Sequence, residues 1–162
     1  KKRKYSSLHL QKMEIKEHEK GDMVESSIAV IIREHESSKN AFRHAVLHKR
    51  TQGMLYLVNA PVAATMTPGL PPAVYQKNNK AIRAKGIALV ERYLHEAKKN
   101  GIANCRAICL APGDPLVDSL EWLESNNIET VFIGCSGEEG VGGIAQYLAA
   151  HATCNVFVAK RR

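Results

Sequence analysis

The stretch Ile133–His151, IGCSGEEGVGGIAQYLAAH, carries the residues best placed for chemistry. Four glycines (Gly137, Gly140, Gly142, Gly143) separate an apolar run ending in Gly134 from a segment of helical character. A glycine-rich link into a helix can turn the N–H groups of Gly142, Gly143 and Ile144 towards one point. The helix dipole adds to the pull such a cup exerts on an anion. The plainer reading is that Gly140, Gly142 and Gly143 only permit positive φ in a tight connection. The sequence leaves both readings open. Glu138 and Glu139 lie inside the loop, and two carboxylates repel a triphosphate unless a metal intervenes.

Other groups offer weaker chemistry. His44 and His48 have the i, i+4 spacing that can hold a metal on one helix face, yet no acidic or cysteine partner is near in sequence, so solvated helix histidines are expected. Ser136 in Gly-Cys-Ser-Gly lacks the flanking glycines of a G-x-S-x-G nucleophile elbow. Cys135 stands near a helix start that can activate a thiol, but a partly buried, inert thiol is the favoured reading. Asp114 and Asp118 share a helix side, and Asp114 is explained as a cap. Acid, base and nucleophile do not assemble into a catalytic set.

The chain has 162 residues, enough for one compact domain with a short remainder, and its 44% apolar content suits a globular protein. No run approaches the roughly 18 apolar residues of a membrane span. The opening KKRKYSSLHL has no apolar stretch behind its charges, so no signal peptide is read and a cytoplasmic location is expected. The net charge is +7. Residues 1–20 and Lys160, Arg161 and Arg162 account for all of it, and residues 21–159 balance to zero. The basicity belongs to the two ends, which argues against nucleic-acid recognition by the folded body. The four cysteines form no CxxC pair and read as reduced, structural thiols.

Residues 1–25 read as a basic linker or arm, and 26–162 as the domain. SIAVIIR, from Ser27, is a β-branched run suited to a strand buried on both faces. Ser37 or Ser38 is expected to cap a helix with Ala41, Phe42, Ala45 and Val46 on one stripe, and Gly53 to stop it. Met54–Ala60 is a second strand, and the proline-rich PVAATMTPGLPPAVY is a long loop. A helix is predicted over Lys77–Asn100, with Ile82, Leu89, Tyr93 and Ala97 on one side and Gly101 ending it. Cys105–Ala111 is the third strand. Asp114 at N-cap and Pro115 at N1 then start a helix with Leu116, Leu120 and Leu123 inward. Thr130–Gly134, Ile144–His151 and Cys154–Lys160 complete the chain as strand, helix and strand. Five strands alternating with four helical stretches give an α/β, doubly wound parallel sheet. Ligands of such sheets sit past the carboxyl ends of the strands, where the order reverses, although periodicity alone does not give that order.

The run Ser27–Lys160, about four-fifths of the chain, resembles the universal stress protein domain. The likeness rests on the order of elements, on Gly113-Asp114-Pro115 opening the third helix, on a fourth strand ending in Gly134 before a glycine loop, and on YLAAHATCNVFVAK (Tyr147–Lys160). The resemblance implies an adenine nucleotide alpha hydrolase-like sheet of order 3-2-1-4-5, with its switch point between the first and fourth strands. It also implies homodimers through the edge strand, here Asn155–Val158, and, in many members, bound ATP. Binding members carry an Asp at the end of the first strand and a loop G-x2-G-x9-G-[S/T]. Here Arg33 stands at the Asp position, reversing the charge. Gly134 and Gly137 keep the first spacing, but only four residues separate Gly137 from Gly142, and Gly143 replaces the hydroxyl residue.

The candidate ligand contacts are thus Arg33, Val58, Asn59, Gly134, Gly137, Gly142, Gly143 and Ile144, for ATP, AMP or another adenine nucleotide, with no metal required. The function expected is a non-enzymatic regulatory domain of stress-response type with a remodelled nucleotide or anion pocket. Lys1, Lys2, Arg3 and Lys4 suit a segment following a membrane span, so the domain is read as a possible cytosolic part of a transporter, at the membrane's cytosolic face. A free-standing ATP-binding stress protein and a dimerisation module with no ligand are the alternatives.

Overall fold

The computed structural model describes residues 26–49, 53–135 and 143–160. The order is β1 (Ser27–Ile31), α1 (Glu36–His48), β2 (Met54–Asn59), α2 (Pro72–Lys99), β3 (Cys105–Cys109), α3 (Pro115–Ser125), β4 (Thr130–Cys135), α4 (Ile144–His151) and β5 (Asn155–Lys160). All strand pairs are parallel, and the sheet order is β3-β2-β1-β4-β5. The basic segment 1–25 lies outside the described residues.

Side chains alternate along the central strands, so each strand feeds two cores. Val30, Ile32, Leu55, Leu57 and Phe132 face α1 and α2, which contribute Phe42, Val90, Tyr93 and Ala97. Ala29, Ile31, Val58, Val131 and Ile133 face α3 and α4, which contribute Leu123, Ile144 and Leu148. This two-sided burial explains why β1 and β4 are apolar at nearly every position.

The termini of the elements correct several expectations. The cap of α1 is His35 rather than Ser37 or Ser38: its ring Nδ1 accepts the Ser37 N–H at 3.2 Å. Both serines lie buried in the first turn, where the Ser38 Oγ accepts the Arg33 N–H at 2.9 Å. Helix α2 starts at Pro72, five residues before Lys77, because a proline at N1 has no N–H to lose and already holds helical φ. Its buried positions are Gly86, Val90, Tyr93 and Ala97, so Ile82 and Leu89 sit at the flank of the predicted stripe rather than in its centre. Gly53 packs so closely that a Cβ would meet the Ser26 carbonyl oxygen, which is reason enough for a glycine there. Asp114 caps α3 as expected, accepting the Leu116 N–H at 2.9 Å. Asp114→Ala is expected to cost about 1 kcal/mol, measurable by urea titration.

Candidate functional site

The sheet order places β1 between β2 and β4, and the chain leaves β1 in opposite directions on its two sides. Ile31 pairs with Val58 of β2 and with Ile133 of β4, so the carboxyl ends of the three strands form one rim. Helices leaving β1 and β4 diverge to opposite faces here, which opens a crevice at the reversal point.

One wall is the turn between β1 and α1. The Ile32 N–H donates to the Val58 carbonyl at 2.7 Å, and the His35 N–H to the Arg33 carbonyl at 2.8 Å. Together with the Ser38 hydroxyl, these bonds fix the backbone of Arg33 while leaving its side chain exposed. The ion pair found among the described residues is Lys39–Glu36, so within that set the Arg33 guanidinium has no carboxylate partner. Gly134, at the end of β4, is pressed against the first turn of α1, and a Cβ there would collide with the Ser37 main chain and stand 2.6 Å from its Oγ.

The other wall is the start of α4. Gly143 holds φ +117 and occupies the N-cap without any side-chain cap bond. Among the described residues no side chain caps the first-turn amides of this helix, which carry the positive end of its dipole. The Ile144 side chain is buried in the α3/α4 core, so only its main chain can meet a ligand. Gly137 and Gly142 lie outside the described residues, as do Glu138 and Glu139.

Val58 and Asn59 are both candidate ligand contacts, and strand alternation turns their side chains to opposite faces of the sheet. Val58 is fully buried towards α3 and α4. Asn59 turns to the other face, where its amide donates to the Ile32 carbonyl at 2.7 Å and borders a cavity of about 500 Å3. Gly86 forms part of that wall, and a Cβ on it would stand 2.5 Å from the Asn59 Oδ1 and 2.7 Å from the Cys109 Sγ. Glu34, Lys85 and Arg92 also line this cavity and went unremarked in the sequence. The signal was there: a glycine inside a long helix marks a close approach.

The remaining candidates are occupied structurally. His48 packs its ring against Phe132 and Phe157 at 5.5 and 5.7 Å and pairs its Nδ1 with the His44 carbonyl at 2.8 Å. No cluster of three metal-ligating side chains exists among the described residues. All four cysteines are free thiols. Burial pushes the Cys105 thiol up to about 11 and raises Cys109 and Cys154, which keeps them protonated at neutral pH.

Solved structures decide the architecture. Universal stress protein UspA from Lactobacillus plantarum superposes with a TM-score of 0.72, at 20% identity over 83% of this chain and 97% of its own. The chain has the universal stress protein fold. A family protein from Arabidopsis thaliana, solved with AMP bound, matches at TM-score 0.64 and 19% identity over 85% of this chain and 92% of its own. The universal stress protein from Archaeoglobus fulgidus in complex with dAMP matches at 0.58 and 16%, over 83% and 98%. No protein-family model and no curated protein sequence matches the chain. In the universal stress protein fold the strand order 3-2-1-4-5 expected from the resemblance is the order observed.

Proposed function

We propose that this chain is a regulatory, non-enzymatic domain that binds an adenine nucleotide or a related phosphate-bearing anion at its β1/β4 crevice. What supports this reading is the topology: Arg33, exposed and without a carboxylate partner among the described residues, follows β1, and the start of α4, where Gly143 gives no side-chain cap, follows the neighbouring strand β4. A guanidinium and a helix N-terminus are both anion donors, and each strengthens the other around a phosphate. The fold neighbours solved with AMP and with dAMP support an adenylate as the first ligand to try. With Arg33 in place of a carboxylate, recognition shifts from the sugar and base towards phosphate charge.

Isothermal titration with AMP, ATP and inorganic phosphate, each with and without magnesium, tests this. Binding is expected without magnesium, and Arg33→Ala is expected to weaken it by about tenfold, the worth of one charged hydrogen bond. Titrations showing no heat for any of the three anions would leave a scaffold role in its place.

The same reading makes the domain a homodimer through β5. Phe157 is 49% and Val158 42% exposed on this edge strand, an apolar edge that a second copy would cover. Sedimentation over a concentration series reads the dimer directly. No helix among the described residues is long and apolar enough to cross a membrane. Attachment to a transporter, at the cytosolic face of a membrane, is supported by the cationic residues 1–4. Apolar spans in the reading frame upstream of Lys1 would establish it.

A further inference from the structure

The cavity beneath α2 is not part of the crevice. Its floor is Asn59, its near wall Glu34 in the β1–α1 turn, and its far wall the α2 stripe of Ile82, Lys85, Gly86, Ala88, Leu89 and Arg92. It opens on the α1/α2 face of the sheet, whereas Ile144 belongs to the core of the opposite face. Its volume of about 500 Å3 lies within the range of small-molecule sites.

Three features show what it would take. Ile82 and Leu89, with Pro61 opposite, give an apolar bed, and Ala88 lies at the exposed rim. Lys85 and Arg92 are seven residues apart on α2, hence on one face and about 10 Å apart along the axis. Among the described residues neither has a carboxylate partner, since the ion pair there is Lys39–Glu36. Asn59 is only 7% exposed, and among the described residues its Oδ1 is met by the Cys109 thiol at 3.8 Å, a long and weak donor. Glu34, Lys85 and Arg92 are exposed at the rim, with the Arg92 guanidinium 5.7 Å from the Tyr93 ring centroid, so the cavity mouth offers an acceptor on one side and two cations on the other. Gly86 packs directly against the Asn59 carboxamide: a Cβ on it would stand 2.5 Å from the Asn59 Oδ1 and 2.7 Å from the Cys109 Sγ, so α2 can approach β2 this closely only through a glycine.

We propose that this cavity is a second ligand site, which takes a small organic acid with an apolar body and a hydroxyl or amino group beside its carboxylate. The carboxylate lies between Lys85 and Arg92, the apolar body rests on Ile82 and Leu89, and the hydroxyl or ammonium donates to Glu34. Arg92 offers the planar fork that matches a carboxylate in two bonds. The proposal goes beyond the nucleotide reading and does not depend on it.

The test is an NMR titration of the full chain with 3-phenyllactate, L-phenylalanine, 3-phenylpropionate and L-phenylalaninol. Phenyllactate and phenylalanine are expected to give saturable shifts at the Asn59 side-chain amide and the Gly86 N–H, with a Kd of about 1 mM for ligands of this size. Loss of the hydroxyl in phenylpropionate, or of the carboxylate in phenylalaninol, is expected to weaken binding by about tenfold or more. The double variant Lys85→Gln, Arg92→Gln should do the same. Ala88→Trp, at an exposed rim position, should block the site while leaving the thermal midpoint in place. Titration with AMP should leave the Gly86 signal unmoved whether or not AMP binds elsewhere. The proposal is overturned if no probe gives saturable shifts, if the shifts fall at Gly143 and Ile144 instead, or if the double charge variant binds as tightly as the parent.

Discussion

Phe132→Ala is expected to lower the stability of the domain by about 4 kcal/mol, the scale of an aromatic deletion in a well-packed core. Phe132 lies at the middle of β4 and is essentially inaccessible to water. Its ring stacks on Phe157 of β5 with centroids 5.0 Å apart and planes at 15°, and His48 of α1 closes the third side. The deletion removes the apolar contact and also leaves a hole bounded by three separate elements, which cannot all move inward. Phe157→Ala is the informative contrast: its ring is half exposed, so the monomer should lose only about 1–2 kcal/mol. A larger loss from Phe157, growing with protein concentration, would show that a second copy covers β5. Guanidinium unfolding of both variants at two concentrations reads all of this, and a loss below about 1.5 kcal/mol for Phe132 would contradict the stacked arrangement.

The strands were legible because a parallel sheet covered on both faces demands continuous apolar runs, and SIAVII and TVFIG have them. Asp114-Pro115 was legible for a local reason, since cap and N1 chemistry act within two residues. What escaped the sequence is mostly what depends on partners distant in the chain. The strand order was available only through the family resemblance, because parallel pairing leaves no mark in the strand itself. The proline cluster at Pro71 and Pro72 looks like loop from composition, yet the second proline opens a 28-residue helix. His35 caps α1 with a ring nitrogen, an uncommon cap that a search for serine or aspartate passes over. In the site, the sequence placed Arg33 and Gly143 at the crevice rim but could not tell that Val58 and Asn59 face opposite cores. Nor could it show that Glu34, Lys85 and Arg92 converge, since they join through α2 and a turn about fifty residues away.

Gly134→Ala should cost about 3 kcal/mol and should also disturb anion binding, although the added methyl never reaches the ligand. Overpacking against backbone costs more than overpacking against a movable side chain. Here the methyl would run into the Ser37 main chain, in the first turn of α1. That turn is tied to the crevice at both ends, through the Ser37 N–H on His35 and the Ser38 Oγ on the Arg33 amide. Moving it to make room therefore shifts Arg33, the cation proposed to hold the phosphate. Gly143 supplies the control. A Cβ on Gly143 meets nothing within 4 Å among the described residues, so Gly143→Ala meets chiefly the strain of φ +117 and ψ −166 and should cost about 1–3 kcal/mol. The two substitutions thus separate packing from conformation in one loop. If thermal unfolding ranks Gly143→Ala as the more damaging, the close seat of α1 on β4 is wrong. If Gly134→Ala is destabilised but binds AMP as the parent does, the coupling of that seat to Arg33 fails.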